Sequence, residues 1–455
     1  MNIKVLSKEI IKPSSPTPNH LRNYKVSLLD QFSPSSYMPF IFFYPHDSTD
    51  PSPDHTSKIL TQLKKSLSET LTLFYPLAGR VNDTAVYVDC NDEGVEFMEA
   101  QAIHSNLSDF LKNPNISALN NFLPCNGNGL QKGSGIAPLV VKATVFECGG
   151  IVIGLCIFHK IVDAAAAGEF LKNWGKISCG LKEKVEIPNL TSASSLFPPK
   201  ESLPNDFVTD FDNFFFQGTK SLMRRFVFDS TAIKTLKNKS FSENVPNPSR
   251  VEALIAFVVQ HMNAAAASKK KKSTKSGNPE TIMITHPVNL RQRVDPPLPE
   301  NTFGNVIWLA FAFYESDPSD PEIKPGDVVE RVREAFAGLN KESLSELETE
   351  EALTSLSEVL KSVYTNENIK IYRFTSTLNM GFYEVDFGWG KPIWFGHMGD
   401  MVDYRSKQQI IFAETGENGN GGVELWVAGE EDEISVLEND EEFLAFATPN
   451  PSILS

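Results

Sequence analysis

His159 and Asp163 bracket the string His159-Lys160-Ile161-Val162-Asp163, an HxxxD spacing. An imidazole has an ordinary pKa close to neutrality, so one held within hydrogen-bond reach of a hydroxyl can take its proton. An aspartate just ahead of a helix caps that helix. Further on stands Asp386-Phe387-Gly388-Trp389-Gly390, followed by Lys391-Pro392. Two glycines around a tryptophan give a backbone that can turn tightly and approach a neighbour closely. Each string alone also fits a plainer reading, a buried structural histidine beside a cap and a Gly-rich turn around a buried ring. The elements around them decide.

Residues 138–158 read as two strands. Val141, Ala143 and Val145 alternate with Lys142, Thr144 and Phe146, Cys148-Gly149-Gly150 supplies a turn, and the run from Ile151 to Phe158 returns as a buried strand. Asp163 then opens AAAAGEFLKNWGKI, where Phe170, Leu171, Trp174 and Ile177 share one helical face and Gly180 is a stop. His159 therefore sits where a buried strand becomes a helix, with Asp163 at the cap. Residues 55–72 carry Ile59, Leu60, Leu63, Leu67 and Leu71 on another helical face, ended by Pro76. Residues 381–385 read as a strand leading into the Gly-rich string.

At 455 residues the chain exceeds one ordinary core. Residues 191–221 are rich in Ser, Pro, Asp and Phe without a steady period, which reads as a crossover. The expected division is 1–190, a linker at 191–223, and 224–455. A strand starts near Arg224 and a helix spans 248–262. A low-complexity mobile loop is expected over 264–278, and the acidic stretch 342–351 reads as the solvated face of a helical region.

Composition removes several classes. The net charge of −15 disfavours nucleic acid. The N-terminus lacks an apolar h-region, and residues 138–158 are broken by Lys142, Glu147 and a Gly pair, so neither a signal peptide nor a membrane span is expected. Five cysteines without a CxxC pair read as reduced thiols in a reducing, cytoplasmic setting, with no metal site. No GxSxG elbow supports a hydrolase, and Gly127, Gly129 and Gly133 miss dinucleotide-binding spacing. The 32 phenylalanines suit aromatic cores and an apolar ligand channel.

HxxxD midway and DFGWG near the C-terminus, in that order, resemble the plant BAHD acyl-CoA-dependent acyltransferases. LLDQ at 28–31, FYPLAGR at 74–80, SRVEAL at 249–254, VNLRQRVDPPLPE at 288–300 and FGN at 303–305 extend the likeness over nearly the whole chain. The look is nearest to the branch of alkaloid acetyltransferases that holds vinorine synthase, with acylsugar acyltransferases in similar branches. The resemblance implies an α/β, two-domain fold like chloramphenicol acetyltransferase, each domain a mixed β-sheet with flanking helices. It implies a channel between the domains, entered by acyl-CoA on one face and by a small-molecule alcohol on the other, and a monomer without a tightly bound cofactor. His159 is then the base. Asp163 points away from substrate and pairs with an arginine, for which Arg291 is the candidate. Asp386 is carried among the catalytic candidates, although the resemblance places the DFGWG loop, with Gly388, Trp389 and Gly390, in a supporting position away from the chemistry.

Other assignments come from residue chemistry. Trp389 Nε1–H or a backbone N–H is a candidate oxyanion donor. Ser249 at a helix start, Arg250, Arg293, Lys391 and the lysine run 269–272 are candidates for the phosphates of coenzyme A, the run reading equally as a solvated loop. Phe40, Phe42 and Trp308 are candidates for the acceptor pocket, with plain core packing as the alternative. The small residues 164–167 leave room beside His159. The resemblance to the nearest branch implies acetyl as the acyl group and an alkaloid or terpenoid hydroxyl as the acceptor; acylsugar or other alcohol acceptors, N-acylation and an inactive ligand-binding paralogue stay open.

Overall fold

The computed structural model describes the chain except for residues 46–52, 83–85, 126–130, 205–206, 217–220, 271–280, 316–321, 341–342, 345–348, 367, 401–408, 417–420 and 455. The strands of its two large sheets, in chain order, are β1 (Asn2–Ile11), β2 (Tyr37–Tyr44), β3 (Val95–Ile103), β4 (Leu139–Phe146), β5 (Ile151–Phe158), β6 (Leu222–Phe228), β7 (Thr281–Asn289), β8 (Ile307–Glu315), β9 (Ile369–Ser376), β10 (Trp394–Gly396), β11 (Gln409–Glu414), β12 (Val423–Gly429) and β13 (Thr448–Pro449). The helices used below are α1 (Pro53–Leu73), α2 (Ala164–Ser178), α3 (Phe207–Phe215), α4 (Arg250–Lys270) and α5 (Glu350–Thr365).

Two mixed sheets organise the molecule. One runs β1-β3-β4-β5-β2-β10, the other β8-β7-β9-β11-β12-β6-β13. The β4–β5 hairpin forms as the alternation requires, closed by Gly149 at φ 83° and by Phe146 N–H donating to Gly150 O at 2.9 Å. Every residue of β5 is buried, which accounts for its unbroken apolar run. Helix α1 turns Ile59, Leu63, Leu67 and Leu71 inward. Off that face, Lys64 pairs with Glu9 at 2.7 Å and Glu99 at 2.9 Å. Trp174 of α2 donates its Nε1–H to Ser66 Oγ at 3.0 Å, fastening α2 to α1.

The late strand β10 leaves the second sheet's sequence neighbourhood and pairs with β2 of the first, Trp394 opposite Phe43. Around that crossing, Glu424 of β12 is buried and accepts from Arg225 Nη2 at 2.6 Å, Trp426 Nε1 at 3.0 Å and Trp394 Nε1 at 3.4 Å. One carboxylate thus ties both sheets, and the Arg225 guanidinium lies 5.3 Å from the Trp394 ring centre.

Four sequence expectations are corrected. Residues 381–385 are not a strand: Asn379 and Gly381 have φ of 63° and 72°, and a 3-10 turn, Phe382–Glu384, follows. Positive φ breaks extension, and the turn delivers Phe382 onto Phe42 and Phe395. The crossover holds two short helices, Ser192–Leu196 and α3; α3 packs on α5, where Ser357 and Tyr364 hydroxyls both donate to buried Asp210 at 2.8 Å. The low-complexity segment is helical up to Lys270, since its alanines extend α4. Cys125 and Cys156 are joined as a disulfide, because the chain after the turn Ile116–Phe122 runs back over β5 and brings their Cα atoms to 6.7 Å. Cys90, Cys148 and Cys179 are free thiols. No described helix is long and apolar enough to cross a membrane.

Removing Glu424 strands a buried guanidinium, a loss of about 3–5 kcal/mol by analogy with other broken buried pairs. Glu424→Ala is expected to lower the calorimetric melting temperature sharply. An unchanged melt would show that the crossing of the two sheets is held elsewhere.

Candidate active site

The end of β5 delivers His159. The 3-10 turn His159–Ile161 follows the strand directly, and His159 N–H donates to Ser36 O at 2.8 Å. Lys160 is buried and donates to Gln31 O at 2.8 Å and Ser33 O at 3.0 Å, so the turn is fastened to residues 31–36.

Asp163 is the N-cap of α2, its Oδ1 accepting Ala166 N–H at 2.8 Å. The same carboxylate meets Arg291, Nη1 to Oδ2 at 2.8 Å and Nη2 to Oδ1 at 3.1 Å, and accepts Val306 N–H at 3.0 Å. Both partners are fully buried. Every acceptor position of the carboxylate is taken, which leaves nothing for a substrate. The Arg291 guanidinium also donates to Thr302 O at 2.9 Å and Gly304 O at 3.3 Å.

The tautomer of His159 follows from its neighbours. Asn305 Nδ2 donates to Asp30 Oδ1 at 2.8 Å and to His159 O at 2.7 Å, so Asn305 Oδ1 is an acceptor. That oxygen lies 3.1 Å from His159 Nδ1, which therefore carries the proton. Nε2 keeps its lone pair. Asp30 is buried and anchored in turn by Ser27 N–H at 2.7 Å, Ser27 Oγ at 2.8 Å and Asn305 N–H at 2.6 Å. Burial raises the pKa of Asp30, opposed by these hydrogen bonds. Burial lowers the pKa of His159 below its ordinary 6.5, opposed by carbonyls of His159 and Val162, the Asp163 charge and Asn305.

His159 stands on the wall of a cavity of about 230 Å³. Ser36, Phe40 and Ala164 line it from the first sheet's side; Trp308, Thr377 and Met380 line it from the second's. The expected residues divide accordingly. His159, Phe40, Trp308 and the small Ala164 and Ala165 are brought together. Asp163 borders the cavity with its carboxylate engaged elsewhere. Phe42 is fully buried outside the cavity, packed on Phe395 at 5.1 Å, because β2 runs away from the opening after Phe40.

The DFGWG loop lies behind α2 and does not line the cavity. Gly175 of α2 lets the loop in: a Cβ there would sit 2.6 Å from Asp386 O. Asp386 Oδ1 accepts the N–H groups of Gly388 at 2.7 Å and Gly390 at 3.0 Å, glycines with φ of 107° and 108°, so it holds its own loop in shape and stands apart from the cavity. Trp389 packs on Phe387 and Tyr44 and does not line the cavity, and that position removes its indole as an oxyanion donor.

The candidate cofactor contacts do not converge on the cavity either. Ser249 and Glu252 form a capping box on α4, Arg250 Nη2 donates to Asn379 Oδ1 at 3.1 Å, Arg293 Nη1 to Phe336 O at 2.6 Å, and Lys391 pairs with Glu384 at 2.7 Å. Of the lysine run, 271–272 lie outside the described residues, as do the side chains of 269–270. Sequence reasoning missed Asp30 and Asn305 as site residues. The available signals were the S-x-x-D capping pattern at Ser27–Asp30 and the LLDQ and FGN segments, which carried the family likeness without assigning either residue a role.

A profile described as the Transferase family matches residues 1–444. Akuammiline synthase 2 of Alstonia scholaris is 71% identical over 453 residues, covering 100% of this chain and 98% of that protein. Stemmadenine O-acetyltransferase of Catharanthus roseus is 36% identical over 444 residues, 96% of each. The crystal structure of vinorine synthase superposes with a TM-score of 0.78 at 32% identity, covering 99% of this chain and 100% of that one. With that fold, and with an oriented histidine between two sheets, the chain belongs to the Transferase family of BAHD acyltransferases, in the branch of vinorine synthase.

Proposed function

We propose that this acyltransferase carries an acetyl group from acetyl-CoA to a hydroxyl of a plant alkaloid or terpenoid, with His159 as general base. The observation that carries the reading is the tautomer fixed by Asn305: Nδ1–H is held by the protein, and the lone pair of Nε2 is left for the cavity. The names of stemmadenine O-acetyltransferase and of the limonoid 7-O-acetyltransferase of Citrus sinensis support acetyl transfer to a hydroxyl and an acceptor of either class.

The step balances without a covalent enzyme intermediate. Nε2 takes the hydroxyl proton as the oxygen attacks the thioester carbonyl. The tetrahedral intermediate collapses, the carbon–sulfur bond breaks, and the imidazolium returns its proton to the departing thiolate. Asn289 lines the cavity with its Oδ1 accepting Arg291 N–H at 3.0 Å, which leaves its Nδ2 hydrogens as donors for the oxyanion. Asp163 and Arg291 hold the geometry, and Asp386 with Gly388, Trp389 and Gly390 supports α2 from behind. The DFGWG glycines and Lys391 act at a distance from the acyl group. Ser249, Arg250 and Arg293 remain the proposed contacts for the nucleotide end of coenzyme A, outside the cavity.

Thiol release from acetyl-CoA with and without an alcohol tests the class. Release that requires the alcohol supports transfer; release in water alone indicates a hydrolase and removes the reading. His159→Ala is expected to cut kcat by about 10²–10⁴-fold with an unchanged melting curve. Full activity at saturating donor would end the base role. Because burial lowers the His159 pKa, kcat/KM is expected to fall only as pH drops through a value below 6.5. An acid limb above 6.5 would point to a different group.

Asp163→Asn keeps the cap but leaves Arg291 buried without its counter-charge, so stability is expected to fall by about 3–5 kcal/mol in denaturant unfolding. Activity per folded molecule should fall less than in His159→Ala. The reverse order would place Asp163 in the chemistry.

A further inference from the structure

Two polar groups on the cavity wall are not used by acyl transfer. His397 follows β10, lines the cavity and is 5% exposed. Its Nε2 is buried with no hydrogen-bond partner among the described residues. Gln409 opens β11 and lines the same cavity, and its Oε1 is also buried without a partner. Buried polar atoms left unpaired are uncommon and destabilising, and a ligand cavity is where such a group is retained for use.

The His397 ring is fixed before any ligand arrives. Phe395 and Trp426 meet it edge to face, with ring centres at 4.8 Å and 5.6 Å. The next residues are clamped to the turn Ile116–Phe122: Gly399 N–H donates to Asn120 Oδ1 at 2.8 Å, and Asn120 Nδ2 to Asp400 O at 2.8 Å. A Cβ on Gly399 would lie 2.5 Å from Ile116 O, so the backbone is pressed against that turn. A site group held this way has little orientational entropy to lose on binding.

The surroundings specify the ligand chemistry. Burial holds His397 down at about 3, so the ring is neutral near pH 7 and offers one N–H donor. Gln409 offers its unpaired Oε1, which accepts a hydrogen bond. Met38, Phe40, Phe215, Phe216, Met398 and Ile411 make the wall around them apolar. The cation on this wall is Arg373, opposite Gln409 in the β9–β11 register and 5.0 Å from the Phe214 ring centre. The only carboxylate among the described lining residues is Asp163, which is consumed by Arg291. An ammonium would find no counter-charge here, whereas a neutral hydroxyl, which both donates and accepts, would donate to Gln409 Oε1 and pair with the His397 ring.

We propose that His397 and Gln409 bind a second hydroxyl of the acceptor, carried on its apolar ring frame away from the hydroxyl that is acylated, and thereby select among alcohols. The proposal rests on the reading of this cavity as the acyl-acceptor site. It assigns the pair to binding; neither residue takes part in the transfer of the acyl group.

The test uses a matched pair of alcohols that the full-length protein acylates at the same position, one with a second ring hydroxyl and one with hydrogen in its place, assayed by thiol release from acetyl-CoA. The readout is the ratio of the two kcat/KM values. His397→Leu and Gln409→Leu are each expected to lower that ratio about 10-fold, through the KM of the diol. His397→Gln, which keeps a donor, is expected to recover part of it. An unchanged ratio in both leucine variants, whether or not overall activity falls, overturns the proposal. A leucine variant that melts early is replaced in the comparison by His397→Met or Gln409→Met, expected to lower the ratio in the same way. If the unaltered protein releases no thiol with any alcohol, the acyl-transfer reading fails instead, a result distinct from either outcome above.

Discussion

The Asp163–Arg291 pair is the constraint on which the site depends. One carboxylate caps α2, receives a guanidinium in two bonds and receives Val306 N–H. Taking two charges out of water is costly, and the pair persists only because further hydrogen bonds complete both partners. Arg291 meets that condition through Thr302 O and Gly304 O, and Asp163 through two backbone amides. Those bonds fix three pieces of chain against one another: the start of α2, the segment after β7, and the entry to β8.

Asn305 lies between Gly304 and Val306, both held by that pair. Its position is therefore set by electrostatics two bonds away, and it in turn sets the His159 ring. The chain of dependence runs from the ion pair to the backbone around Asn305, then to a carboxamide whose orientation Asp30 dictates, then to the tautomer. A carboxylate that touched His159 directly would favour its protonated form. The intervening amide orients the ring while keeping the negative charge of Asp30 one residue removed, and burial favours the neutral imidazole.

Much of this was legible because the period of the chain is strong where the site is built. The β4–β5 hairpin, the cap at Asp163 and the faces of α1 and α2 follow from local pattern, and so does the place of His159 at the end of a buried strand. The partnership of Asp163 with Arg291 came through the family resemblance alone, since nothing in a spacing of 128 residues announces contact. Asn305, Asp30, His397 and Gln409 were illegible for the same reason: each acts through a neighbour distant in sequence. The turn at Phe382 was misread because residues 381–385 have strand composition, and only the positive φ at Asn379 and Gly381 shows that the chain folds instead. Trp389 drew attention as a donor by chemistry, but tertiary packing turned its indole behind α2.

The crossing of β10 onto β2 gives the cavity its second function. Phe40 and Phe395 stack where the two strands meet, and His397 emerges from the same strand end two residues later. The segment that closes the interface between the sheets therefore also furnishes part of the cavity wall. An apolar wall built of core aromatics excludes water, which would otherwise compete with the alcohol for the thioester. Changing the acceptor in such an architecture cannot be done freely, because most wall residues hold the two sheets together. The positions at liberty to vary are those that face the cavity without supporting the core, and polar groups without a partner among the described residues, such as those of His397 and Gln409, mark where that liberty lies.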